Sequence, residues 1–115
     1  MPDRSNMTYT TPDTLPTDPV LADLVPEFIE QWMTDLTVNW ADLRTRGDLE
    51  EFRRFGHTIK GSFLQFGFAE LSRVGKEVMH DAETGDWEGA EARLNGIVRV
   101  LTELRDKIND GTISL

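Results

Sequence analysis

One histidine in this sequence stands where an imidazole can react. The run Gly56-His57-Thr58-Ile59-Lys60-Gly61-Ser62 lies within a segment, Asp48 to Phe66, whose apolar residues recur at helical spacing. At about 100° per residue, Phe52, Phe55, Ile59, Ser62 and Phe66 share one side of that helix. His57 falls on the opposite side, with Glu50, Arg53, Arg54, Lys60, Gly61 and Leu64 around it. A histidine used for packing would sit with the phenylalanines. This one points at water.

Neutral imidazole is a good nucleophile near pH 7, because a pKa of about 6.5 leaves a free lone pair. Covalent histidine intermediates are established chemistry. Lys60, three residues on, reaches the same face, where an ammonium neutralises a phosphoryl group on the ring as a point charge. Arg53 and Arg54 add to that field or contact a partner. Gly61 costs about 1 kcal/mol relative to alanine inside a helix, yet its bare backbone lets another protein approach closely. Leu64 offers an apolar contact beside the polar centre. An exposed helical histidine is ordinarily inert, and it is the company of Lys60, Gly61 and Leu64 that singles this one out.

The elements that must hold this face read as four helices. Pro2, Pro12, Pro16 and Pro19, with many Thr, Asp and Ser, mark residues 1–19 as a disordered leader. A short helical turn, Val20 to Leu24, follows. The first helix runs from Pro26 to Arg46, its apolar face Ile29, Trp32, Met33, Leu36, Trp40 and Leu43. Gly47 ends it and Asp48 caps the second helix, which carries His57 and stops near Gly67. The third, Phe68 to Thr84, buries Leu71, Val74, Val78 and Ala82. Gly85-Asp86 repeats the stop-and-start signal, and Trp87 to Asn109 forms the fourth. No alternating strand pattern competes. The expectation is all-α: an antiparallel, up-down four-helix bundle over residues 20–110, with a C-terminal tail at 111–115.

Composition removes several functions. A net charge of −9 repels nucleic acid and anionic membranes, while it suits a protein partner with a basic rim. There is no cysteine, hence no disulfide or zinc-thiolate site. No apolar run approaches the roughly 18 residues of a membrane span, and no signal-peptide core is visible, so the cytoplasm is the expected location. Nucleotide-binding glycine loops are missing. His57 and His80 lie on different helices, and His80 sits opposite its helix's apolar face, so no metal site and no cofactor are expected.

The run Phe55-Gly56-His57-Thr58-Ile59-Lys60-Gly61-Ser62, followed by Gly67 and Leu71, resembles the histidine-containing phosphotransfer (HPt) domain of phosphorelays. Leu24-Val25-Pro26-Glu27-Phe28, Gly47-Asp48 and Gly85-Asp86 fit the same family, and the likeness covers about residues 20–108. The resemblance implies a four-helix bundle in which His57 is phosphorylated on Nε2, Lys60 steadies the phosphoryl group and Gly61 leaves room for the partner. The implied partners are response-regulator receiver domains, with a hybrid histidine kinase upstream. Any magnesium belongs to the receiver, so the chain is a phosphocarrier with no kinase or ATPase activity of its own. Receiver choice would rest on Glu50, Arg53, Arg54, Leu64 and Gln65. Two positions depart from the family pattern. Gly56 stands where alanine is frequent, and Met79 stands where many members carry Glu or Gln against the imidazole.

Two other readings stay open. One is the phosphorylated domain of a chemotaxis-type kinase, against which the leader and the short C-terminal tail favour a small stand-alone, monomeric protein. The other is a non-catalytic helical adaptor that docks on receivers or kinases.

Overall fold

The Gly-Asp pairs at 47–48 and 85–86 each stop one helix and start the next. Gly47 and Gly85 take left-handed backbone, with φ of 66° and 69°, and their N–H groups close the helix before them. Asp48 and Asp86 then accept the N–H groups of Glu51 and Gly89 at 3.1 and 2.8 Å, capping the next first turn. The computed structural model describes residues 7–114, and among these all regular structure is helical. The order is α1 (Pro19–Thr34), a π turn (Asp35–Asn39), α2 (Trp40–Arg46), α3 (Leu49–Gln65), α4 (Ala69–Thr84) and α5 (Trp87–Asn109). Because α1, the π turn and α2 are contiguous, the described residues form four helical rods.

The first rod differs from the expected one. No separate turn precedes Pro26: α1 begins at Pro19, with Asp18 accepting the Val20 N–H at 2.9 Å, and runs straight through Pro26. A proline inside a helix costs about 3 kcal/mol. Here it is exposed, while Val25, Phe28, Ile29 and Trp32 around it are buried, and that burial outweighs the lost hydrogen bond. The π turn adds a second departure. Leu36 within it, and Trp40 and Leu43 beyond it, are buried along with Ile29 and Trp32.

The expected leader also differs where it is described. Residues 7–18 follow a defined course over α4 and α5. The Met7 N–H donates to the Ala92 carbonyl at 3.0 Å, and the Thr10 N–H donates to Glu70 Oε1 at 2.8 Å. Tyr9 and Leu15 pack on the core. Gly96 makes this possible, since a β-carbon there would stand 2.5 Å from the Met7 carbonyl oxygen and 2.7 Å from the Tyr9 ring. Residues 1–6 of the leader lie outside the described residues. At the other end, Gly111 (φ 83°) reverses the chain. Ile113 then donates to the Lys107 carbonyl at 3.0 Å and is buried, so within the expected tail this residue packs onto the core.

The core is aromatic at both ends of α3. Phe28 meets Phe63 edge-on with ring centroids 5.0 Å apart, and Trp40 meets Phe52 edge-on at 5.2 Å. These contacts hold the phenylalanine face of α3 inward and its opposite face, with His57, in solvent.

Candidate functional site

α3 separates its residues as the spacing predicts. Phe52 and Ile59 are fully buried, Phe55, Ser62 and Phe66 half-buried, and His57, Gly61, Leu64 and Gln65 exposed. His57 has no hydrogen-bond or ion-pair partner among the described residues. It borders an open hollow of about 300 Å³ that it shares with Glu50, Arg53 and Arg54. Both arginines are engaged at its rim. Arg54 pairs with Glu51 at 2.7 Å and approaches Glu50 at 3.9 Å, and Arg53 reaches across to Glu83 of α4 at 3.7 Å. Glu83 also lies 3.8 Å from His80 Nδ1, which places His80 on the surface with a carboxylate neighbour.

Lys60 lies one turn beyond His57, half-buried at its root and without an ion-pair partner among the described residues. Gly61 is open. A β-carbon on it would meet nothing within 4 Å, so its bare backbone is not required by packing among the described residues. Leu64, at 58% exposure, is one of the large apolar side chains left in water. The structure therefore groups Glu50, Arg53, Arg54 and His57 around one hollow, with Lys60, Gly61, Leu64 and Gln65 following along the same exposed side of α3.

What stands behind the histidine was not read from the sequence. Gly56 is buried, and a β-carbon there would lie 2.7 Å from the Met79 backbone nitrogen and 2.9 Å from the Gly75 carbonyl oxygen. A β-carbon on Gly75 would lie 2.5 Å from the Lys60 nitrogen. Beside this crossing the Ser72 hydroxyl, buried, donates to the Lys60 carbonyl at 2.7 Å. The glycine at 56, which as a sequence feature carried only a local helix cost, is a close-approach position between two backbones. The available signal was the small pair Ser72 and Gly75 on α4, where Gly75 faces Gly56 and Ser72 faces Lys60. Glycine within a helix reads first as a penalty, so the sequence alone does not show the crossing.

A second polar cluster lies on the other side of α4. Arg93 donates to Asp81 Oδ2 at 2.8 Å and pairs with Glu77, and the Tyr9 ring packs beside them. Asp81 is buried, and burial pushes its carboxyl above the ordinary aspartate value, with the Arg93 hydrogen bond and charge acting in the opposite direction. Burial also holds the Tyr9 phenol above its ordinary value, again against Arg93. This cluster joins the N-terminal segment, α4 and α5.

Among the described residues no group of three His, Asp or Glu side chains is placed to hold a metal. No helix among them is long and apolar enough to cross a membrane. Comparison with curated proteins and with solved structures gives no match. The model of the Hpt domain family matches residues 22–109, which takes in the last three helical rods, the first rod from residue 22 onward and the whole His57 face. With that match over most of its length, the chain belongs to the Hpt domain family.

Proposed function

We propose that this protein carries a phosphoryl group on His57 and passes it between the aspartates of receiver domains in a two-component phosphorelay. Hpt domains serve histidine phosphotransfer in phosphorelays, where they meet receivers and kinases, and they are phosphocarriers rather than enzymes in themselves. The observation that carries the reading for this chain is the exposed, unpartnered His57 with Lys60 one turn on and open space over Gly61. The neutral ring supplies the lone pair, Lys60 offsets charge on the phosphoryl oxygens, and Gly61 admits the partner's backbone. Transfer through a loose transition state needs mostly positioning and charge neutralisation, which such a face provides. Glu50, Arg53, Arg54, Leu64 and Gln65 form the docking surface in this proposal. The short connections between rods and the order of contacts across α3 and α4 support an antiparallel, up-down bundle. A cytoplasmic, monomeric carrier fed by a hybrid kinase completes the reading.

The test is incubation with a phosphorylated receiver, followed by an acid-lability assay on wild type and His57→Gln. Acid-labile label on wild type alone is expected, and label on His57→Gln would sink the proposal. Direct phosphorylation by a kinase's ATP-binding domain, with no receiver between, would point instead to the chemotaxis-type kinase domain. Unchanged receiver binding and cellular output in His57→Ala would point to the adaptor.

A further inference from the structure

Most cationic side chains in this acidic protein are committed to carboxylates. Among the described residues only Lys60, Arg73, Lys76 and Arg99 have no carboxylate within ion-pair distance. Their distribution is uneven. Arg99 is on α5, away from His57, and the other three are on the helix pair that carries the histidine.

The register of that pair locates Lys76. Arg53 meets Glu83, Gly56 meets Met79 and Gly75, and Lys60 meets Gly75 and Ser72, so numbers fall along α4 as they rise along α3. His57 is one turn from Arg53 on the outer flank of α3. Lys76 is two turns from Glu83 on the flank of α4 that Arg53 reaches. The two positions therefore come level on one outer surface, with Lys76 between the levels of His57 and Lys60. Lys76 is exposed, so its side chain is free to lean across. The glycine crossing matters here, because two helices whose backbones meet at Gly56 and Gly75 bring their flanks within reach of a lysine's length.

We propose that Lys76 is a second phosphoryl-binding cation, contacting the group on His57 from α4 while Lys60 contacts it from α3. The inference rests on His57 being the phosphorylated residue. It assigns to α4 a charge acting on the phosphoryl oxygens rather than a hydrogen bond to the ring, at a site where Met79 offers the ring no polar side chain.

Phosphoramidate tests this without any partner protein. The neutral imidazole supplies the electron pair for the new N–P bond. The P–N bond of the reagent breaks, its electron pair leaves with ammonia, and the proton on the other ring nitrogen stays in place. Uptake by wild type, Lys76→Ala, Lys76→Arg and the distant control Arg99→Ala is followed by intact mass at low and high salt. Circular dichroism establishes that each remains helical. Lys76→Ala should slow uptake by about two- to fivefold, the scale of one exposed charge contact. Lys76→Arg and Arg99→Ala should stay near wild type, and the deficit should shrink at high salt as the charge is screened. Uptake by Lys76→Ala equal to wild type, while His57→Gln takes none, would overturn the role of Lys76 and leave the carrier reading standing. Equal uptake by His57→Gln and wild type would overturn both.

Discussion

The carbonyl oxygen of Gly56 lies 2.7 Å from where a β-carbon on Gly75 would stand. Two helices touch backbone to backbone directly behind the exposed histidine, and Ser72 pins the contact with a hydrogen bond to Lys60. Neither residue can acquire a side chain without moving the helix opposite.

Gly75→Ala should therefore destabilise the protein, although alanine is the better helix former. Overpacking costs about 1–3 kcal/mol and the helix gains about 1 kcal/mol back, so a net loss of up to about 2 kcal/mol is expected. Urea denaturation measures it. A variant as stable as wild type would mean that the helices do not cross this closely.

Gly61→Ala should do the reverse. With nothing within 4 Å of the new β-carbon, it should gain up to about 1 kcal/mol of stability. Gly61→Gln should leave phosphoramidate uptake near wild type yet slow transfer from a phosphorylated receiver. Equal slowing with both donors would count against Gly61 as a clearance for the partner.

Asp81 should titrate above 3.8 in a carboxyl-detected NMR titration, because burial disfavours its charged form. Arg93→Ala should raise the midpoint further, since Arg93 is foremost among the groups that lower it. The linked effect on stability has a definite sign. A folded-state value above the unfolded one means the native protein binds this proton first, so the Asp81 contribution weakens as pH rises from about 3.8 through the raised value. Stability of wild type relative to Asp81→Asn should fall across that window, and a rise would contradict the burial of the carboxyl.

Removing residues 1–17 should lower the melting temperature and expose the groove over Gly96. In the intact chain the Met7 amide should exchange slowly with solvent, as a donor to Ala92 at 3.0 Å. Fast exchange at Met7, with no change in melting on truncation, would show the segment to be unattached in solution.

Periodicity and caps carried much of this structure into view. The Gly47-Asp48 and Gly85-Asp86 boundaries, the phenylalanine side of α3 and the exposed side with His57 are local properties, and each is found where its residues indicate. What stayed hidden depends on partners distant in sequence. Pro26 reads as a helix start because proline favours the first turn, yet Asp18 caps a helix that begins at Pro19, and Val25, just before the proline, is fully buried. Residues 7–18 read as disordered because prolines and threonines outnumber apolar groups. Two side chains, Tyr9 and Leu15, and one receiving glycine, Gly96, suffice to seat them. The crossing of Gly56 and Gly75 escaped because what matters at those positions is a missing atom, and periodicity registers only the atoms that are present.

The open hollow beside His57 has a meaning for time as well as for fit. An open hollow gives a bound phosphoryl group no shelter from water, and none of the described residues stands over His57 to provide it. On the proposed reading the lifetime of the charged state is a contest between hydrolysis in the open and the next encounter with a partner. The abundance of partners, more than any feature of the carrier, would then set how long a signal persists.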